Sequence, residues 1–224
     1  MPMPRVPATR ILMADKIEIK HNDTIVFIGD SITDAGRLLS GYKPFGYGYV
    51  NFAANQLLAK YPDYNLNIIN TGISGNTIRD LKLRWEKDCL KHNPDIVSVL
   101  IGINDLWRLH TNRLDEAVLL DEYELTYRQL LSHTRENNDC QLVLMEPFMF
   151  CNDTDNPMFR DLQDFIAAVG NLAKQFDAVL VPLQKSIDEI VKRVPPERWS
   201  DDMVHPYIWA HCWIAQRWFE ATVL

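Results

Sequence analysis

The stretch VFIGDSITDAG occupies residues 26–36, close to the start of the chain. An apolar run leads into Gly29, and the chain then turns polar at Asp30 and Ser31. A short apolar run that ends in a polar turn is typical of a buried strand with a helix after it. Ser31 therefore has two interpretations. It is either the N-cap of that helix, as serine commonly is, or a nucleophile at the carboxyl edge of a sheet.

Apolar runs of the same kind recur along the chain, at residues 65–70, 95–102, 140–147 and 177–182. Stretches with helical spacing separate them, and a last helix is expected after Pro206. Continuously apolar strands that alternate with helices are typical of a parallel sheet covered on both faces. The sequence therefore predicts an α/β fold: a three-layer α/β/α sandwich with a doubly wound, five-stranded parallel sheet in the flavodoxin-like order. We expect one domain over residues 24–224 and a loosely ordered N-terminal arm over residues 1–23.

The chain of 224 residues carries a formal net charge of −7, with 47% hydrophobic and 24% charged residues. This acidic balance argues against nucleic acid or an anionic membrane as a partner. No apolar run approaches the roughly 20 residues that span a bilayer, and no signal-peptide pattern opens the chain. The four cysteines are scattered, without the spacing of metal ligands. We therefore expect a cytoplasmic protein that needs neither a metal nor another cofactor.

Polar and glycine-rich turns follow the first three predicted strands. They contain Ser31, Gly75 and Asn104, respectively. Ligands of open α/β sheets bind outside the carboxyl ends of the strands, so we expect these residues in one site. The backbone N–H groups of Ser31 and Gly75 and the side-chain amide of Asn104 are suitable donors to an oxyanion. The three turns thus predict a site for acyl transfer.

A serine nucleophile needs a base, and the segment SDDMVHP at residues 200–206 supplies one. Asp202 precedes His205 by three residues, so a turn can direct its carboxylate to Nδ1 and leave Nε2 free for Ser31. Asp201 is the rival orienting carboxylate. Each of these residues has a plainer structural interpretation when taken alone. Together, Ser31, His205 and Asp202 favour a serine esterase.

The blocks GDSIT, GISGNT, IGIND and DMVHP resemble, in order, the four motif blocks of the SGNH, or GDSL-type, hydrolases. The resemblance covers nearly the whole chain from residue 24 onward. It implies the SGNH hydrolase fold, with Ser31 as the nucleophile, Gly75 and Asn104 as oxyanion donors, and His205 with Asp202 as the base and its orienter.

The segments ISGNTIRDLKLRWEKD and SVLIGINDLWR further resemble the acetyl xylan esterases found inside bacterial cells. This second resemblance implies removal of acetyl groups from xylo-oligosaccharides or related sugars, through an acyl-enzyme intermediate. It also implies assembly into a homo-oligomer. The expected partner is thus a small-molecule or oligosaccharide ester.

Several residues remain open to more than one interpretation. Trp107, Trp199 and Tyr207 are candidates for stacking on a sugar ring, although such aromatic residues are equally often core residues. Asp105 is expected to cap the segment that follows it. One rival function is that of a lysophospholipase or thioesterase acting on long acyl chains, with EPFMFCNDT at residues 146–154 as its apolar wall. The other is a non-catalytic carbohydrate-binding module, which would have no use for a complete catalytic set.

Overall fold

A parallel sheet of five strands forms the centre of the molecule. The structure is a computed structural model that describes residues 16–223. The strands are β1 (Thr24–Gly29), β2 (Asn67–Asn70), β3 (Ile96–Leu100), β4 (Gln141–Met145) and β5 (Val179–Val181). Their order across the sheet is β2-β1-β3-β4-β5, and every neighbouring pair is parallel. The predicted doubly wound sheet in the flavodoxin-like order is confirmed.

Eight α-helices connect and cover the strands. They are α1 (Ser31–Asp34), α2 (Tyr49–Lys60), α3 (Ile78–Asp88), α4 (Ile103–His110), α5 (Leu120–Asn137), α6 (Pro157–Gln175), α7 (Leu183–Val191) and α8 (Ile208–Thr222) among the described residues. Single 3₁₀ turns lie at Leu90–His92 and Pro196–Arg198. The sequence predicts a loop at the start of α4, because Gly102 and Asn104 are typical turn residues. The structure instead makes Gly102 the N-cap of a helix.

The core lies on both faces of the sheet, as continuously apolar strands require. All five residues of β3 are buried. Helices α2 and α8 pack against each other on one face, while α3, α5 and α6 form the other layer. Trp218 of α8 is fully buried and donates its indole N–H to Ser98 Oγ of β3 at 3.0 Å. Trp85 of α3 donates in the same way to Thr134 Oγ1 of α5 at 2.9 Å.

The chain before β1 contacts the domain where the structure describes it. Ile17 is buried, and its N–H donates to the carbonyl oxygen of Thr222 at 2.8 Å. Glu18 exchanges two backbone-to-side-chain hydrogen bonds with Gln141, at 2.7 and 2.8 Å. Residues 1–15 of the predicted arm lie outside the described residues, so the loosely ordered arm stays a prediction there. Over residues 16–223, no helix is long and apolar enough to span a bilayer.

Candidate active site

Ser31 is the first residue of α1, two residues after the end of β1. The N-cap of this helix is Asp30, whose Oδ1 accepts from the N–H of Ile32 at 3.0 Å. Capping therefore does not occupy the hydroxyl of Ser31, which instead lies 2.9 Å from His205 Nε2. The close turn needs glycine at position 29, because a Cβ there would lie 2.2 Å from the carbonyl oxygen of Leu100.

His205 is held from its other side by Asp202. Its Nδ1 lies 2.7 Å from Asp202 Oδ2, and its backbone N–H donates to Asp202 Oδ1 at 2.8 Å. The same Oδ1 also accepts from the N–H of Val204 and the hydroxyl of Ser200, both at 2.9 Å. Every partner of this carboxylate is thus a hydrogen-bond donor. The imidazole is fixed in orientation, with Nδ1 toward the carboxylate and Nε2 toward Ser31.

The charge of Asp202 follows from this environment. Partial burial tends to raise the pKa of its carboxyl, but the hydrogen bonds from the side chain and backbone of His205, from Val204 and from Ser200 outweigh burial and lower it to about 2. The group is therefore ionised at neutral pH, and an ionised carboxylate only accepts hydrogen bonds. Nδ1 of His205 consequently carries a proton, and Nε2 of the neutral ring is an acceptor.

Asp201, the rival orienting carboxylate, lies elsewhere. It accepts a hydrogen bond from the hydroxyl of Tyr207. Tyr207 in turn is the N-cap of α8, outside the pocket around Ser31. The structure therefore pairs His205 with Asp202 rather than with its neighbour in sequence.

The predicted oxyanion donors lie beside Ser31. Gly75 lies in the loop after β2 with φ of +81°, a conformation that favours glycine. Asn104 lies in the first turn of α4, and its Nδ2 donates to the carbonyl oxygen of Asn76 at 3.1 Å. A side-chain amide has two N–H groups, so the second one remains available to a ligand.

A pocket of about 480 Å³ opens over these residues. It is lined by Ser31, Gly75, Asn104 and His205 together with Tyr47, Trp107, Arg108 and a few neighbours. Trp107 forms part of one wall, with its ring centroid 5.6 Å from that of His205. Among residues 16–223, no three His, Cys, Asp or Glu side chains are grouped so that they could hold a metal ion.

Of the three aromatic residues predicted to stack on a sugar ring, only one lines the pocket. Trp107 lines the pocket. Trp199 is only 2% exposed and packs in an aromatic cluster against Phe150, Trp209 and Trp213, with the Phe150 ring 5.5 Å away. Trp199 and Tyr207 do not line the pocket, so the pocket does not support their predicted contact with a sugar.

Tyr47 and Arg108 also line the pocket, although the sequence did not indicate them as site residues. Tyr47 belongs to a glycine-rich segment before α2, which looks like a simple entry to that helix. Arg108 lies one turn after Asn104 on α4 and donates to the carbonyl oxygen of Gly75. Helical spacing from Asn104 would have indicated Arg108, but only once α4 itself was predicted.

Two buried carboxyl groups, those of Asp30 and Asp105, accept hydrogen bonds from backbone N–H groups near the site. Burial raises the pKa of Asp30 and of Asp105 to about 7. The prediction that Asp105 caps the segment after it is wrong. Its Oδ1 accepts from the N–H of Ile78, the first residue of α3, at 2.9 Å. Because Gly102 takes the N-cap position of α4, Asp105 lies inside that helix. Its side chain contacts the start of α3 instead.

A serine, a histidine and an aspartate hydrogen-bonded in series at the carboxyl edge of a parallel sheet form the arrangement of a serine hydrolase. Residues 27–207 match the model of the GDSL-like Lipase/Acylhydrolase family. The chain therefore belongs to this family.

Individual relatives are similar over nearly the whole chain. An acetylxylan esterase of Geobacillus stearothermophilus is 36% identical over 206 residues, covering 89% of this chain and 94% of the relative. The crystal structure of Axe2, an acetylxylan esterase from the same organism, is 35% identical with a TM-score of 0.87, covering 93% of this chain and 97% of that one. LAE5, an alpha/beta hydrolase from the metagenome of Lake Arreo, Spain, is 30% identical with a TM-score of 0.85, over 93% and 97% of the two chains.

Three further crystal structures are of catalytic mutants of Axe2. In these, an aspartate, a serine or a histidine is replaced by alanine. The residue types are the three that this chain brings together at its pocket. The likeness concerns residue type.

Proposed function

We propose that this protein is a serine esterase that removes acetyl groups from sugars, with short xylo-oligosaccharides as substrates. The observation that carries the proposal is the chain of hydrogen bonds from Asp202 through His205 to Ser31, which ends in the pocket. The acetylxylan esterases that this chain resembles supply the substrate class.

The proposed reaction begins with Ser31. His205 Nε2 takes the proton of the hydroxyl as Oγ attacks the carbonyl carbon of the acetyl ester. Asp202 stabilises the imidazolium that forms, because its carboxylate stays ionised beside Nδ1. The backbone N–H groups of Ser31 and Gly75 and the free N–H of Asn104 donate to the oxyanion of the tetrahedral intermediate.

The second half of the reaction repeats these steps with water. His205 gives its proton to the leaving sugar oxygen, and the acetyl group remains on Ser31. A water molecule then loses a proton to His205 and attacks the acetyl-enzyme. Collapse of the second intermediate releases acetate and restores the hydroxyl of Ser31.

Features of the pocket support a sugar ester over a long-chain lipid ester. Its walls carry Trp107 and Tyr47, which offer aromatic faces to a sugar ring, and Arg108, which offers hydrogen-bond donors. The segment at residues 146–154 was the expected wall of an acyl channel, but Phe148 and Phe150 within it are fully buried in the core. The long-chain alternative therefore lacks the apolar surface on which it depended.

The remaining expectations about partners stay predictions. Assembly into a homo-oligomer is supported by Leu38, Leu39 and Tyr42, which are exposed on one segment near the pocket. A cytoplasmic location and the lack of nucleic acid or membrane partners rest on the composition of the chain alone.

The test is the rate of hydrolysis of p-nitrophenyl esters from acetate to decanoate by the wild type and by Ser31→Ala. We expect a steep preference for acetate and loss of nearly all turnover in the variant, followed by activity on acetylated xylo-oligosaccharides. Ser74→Ala is the matched control, because Ser74 lines the same pocket but donates its hydroxyl to Asp34 Oδ2 at 2.9 Å. A rate maximum at long chains would refute the acetyl specificity, and undiminished turnover in Ser31→Ala would refute the mechanism.

A further inference from the structure

The loop that carries Gly75 has no regular secondary structure, yet its position relative to Ser31 determines whether an oxyanion can be bound. It runs from the end of β2 to the start of α3, over residues 71–77. A displacement of about 1 Å in a catalytic group can cost on the order of 100-fold in rate. Contacts that fix this loop relative to β1 and α4 are therefore expected to affect turnover.

One guanidinium group makes such contacts to two strand ends at once. Arg84 of α3 donates from Nη2 to the carbonyl oxygen of Gly29, at the end of β1, at 2.9 Å. It donates from Nη1 to the carbonyl oxygen of Thr71, directly after β2, at 2.6 Å. Gly29 lies two residues before Ser31, so this group joins the turn that carries Ser31 to the start of the loop at residues 71–77.

The same guanidinium also reaches the third turn of the site. Its Nε donates to Asn76 Oδ1 at 2.7 Å. The backbone carbonyl oxygen of Asn76 accepts from Asn104 Nδ2 at 3.1 Å. Asn76 directly follows Gly75, so a single residue links both predicted oxyanion donors to Arg84.

The environment of Arg84 suits a fixed position. Its side chain is only 11% exposed, and Nη1 also pairs with Asp88 Oδ2 at 3.1 Å, one turn further along α3. A guanidinium presents five N–H donors in a rigid plane, whereas a lysine presents three on one atom. Only arginine can therefore hold these separate acceptors together from this place.

We propose that Arg84 is a positioning residue for ester hydrolysis, which sets the distance between Ser31 and the oxyanion donors Gly75 and Asn104. Its guanidinium does not line the pocket, so it acts through the loops and not on the substrate. This inference rests on the proposed function, because it assigns these loops their catalytic roles.

The matched control lies on the same helix. Arg79 forms a bidentate ion pair with Glu122, in which Nε and Nη2 donate to Oε1 and Oε2 at 2.5 and 2.6 Å. Its side chain is 42% exposed. Its hydrogen bonds go to Glu122 and not to the loops of the site. A neutral substitution at position 79 therefore removes an ion pair from α3 without releasing any loop of the site.

The experiment compares kcat and KM for p-nitrophenyl acetate in Arg84→Gln, Arg84→Lys and Arg79→Gln. We expect Arg84→Gln to lower kcat by about 10- to 100-fold, as a misplaced catalytic group does, with KM changed by less than about threefold. Arg84→Lys should recover part of kcat, and Arg79→Gln should keep it within about twofold. The inhibition constant of phenylboronic acid, which forms a tetrahedral adduct with a catalytic serine, should rise in parallel with the loss of kcat.

A second variant keeps the inference testable if Arg84→Gln folds poorly. Asn76→Ala removes the acceptor of Arg84 Nε and keeps the backbone carbonyl that holds Asn104. It should lower kcat at an unchanged melting temperature, and its effect should be smaller when Arg84 is already replaced. Wild-type kcat in Arg84→Gln or in Asn76→Ala, in an enzyme whose activity depends on Ser31, would overturn this inference alone. A wild type without Ser31-dependent activity would instead refute the proposed function.

Discussion

The substitution Asp202→Asn should cost far more activity than its small change in shape suggests. Oδ2 of Asp202 faces Nδ1 of His205, and Oδ1 accepts from the backbone N–H groups of His205 and Val204 and the hydroxyl of Ser200. An asparagine has only one acceptor oxygen and puts an NH₂ donor in place of the other. Whichever way the amide turns, its NH₂ group faces an atom that donates a hydrogen bond in the wild type.

The hydrogen bonds around position 202 indicate which orientation of the asparagine amide is more stable. With the amide oxygen toward His205 Nδ1, three hydrogen bonds at the Oδ1 position are lost, at roughly 0.5–1.5 kcal/mol each. With the amide oxygen in the Oδ1 position, only the bond to Nδ1 is affected, so this orientation is favoured by roughly 1–3 kcal/mol. The NH₂ group then donates to Nδ1, and the proton of the neutral imidazole moves to Nε2. In that tautomer His205 cannot accept the proton of Ser31.

We therefore expect kcat for p-nitrophenyl acetate to fall by about 10³–10⁴ in Asp202→Asn, the order of loss that a wrong tautomer causes in a serine–histidine–aspartate triad. Asp201→Asn is the control, because Asp201 accepts from Tyr207 and does not contact the imidazole. Its kcat should stay within about threefold of the wild type. A loss of less than tenfold in Asp202→Asn, or an equal loss in the control, would refute the assignment of Asp202 as the orienting carboxylate.

Two further predictions concern the surroundings of the triad. Burial raises the pKa of Asp105 from 3.8 to about 7, so its contribution to stability is present below pH 4 and is lost as the pH rises toward 7. At about 1.36 kcal/mol per pKa unit, the loss is at most about 4 kcal/mol. In urea unfolding from pH 4 to 8, Asp105→Asn should therefore flatten the decline, and an unchanged slope would contradict this pKa. Trp107→Ala should raise KM for an acetylated xylo-oligosaccharide by about tenfold, equivalent to about 1.4 kcal/mol, but KM for p-nitrophenyl acetate by less than threefold. Equal increases for both substrates would show that Trp107 does not contact the sugar.

The sheet and its order could be predicted because they depend on patterns that the sequence displays directly. Each buried strand is a short apolar run, and strands alternating with helices leave few chiral arrangements open. The carboxyl ends of parallel strands meet at one edge, so polar turns after β1, β2 and β3 were expected to meet as well. Ser31, Gly75 and Asn104 do line one pocket.

Other features depend on contacts between distant segments. The start of α4 looks like a turn in sequence, because Gly102 and Asn104 are poor residues for a helix interior. The structure accommodates Gly102 at the N-cap with φ of +129°, with the ring of Tyr123 packed against it. Asp105 then supports α3 and not the segment that follows it. No local pattern predicts a cap that comes from another helix.

The strands and the residue types at their carboxyl ends could be read from the sequence, because hydrophobic periodicity and turn chemistry are local properties. The strand order followed from the alternation of strands and helices. Only contacts between distant segments show which carboxylate faces His205 and which aromatic residues line the pocket. The same holds for Arg84, which joins loops that are 42 positions apart at Gly29 and Thr71. These features depend on distances between segments that fold together from far apart in the chain. Such distances are set by packing, and no short stretch of sequence records them.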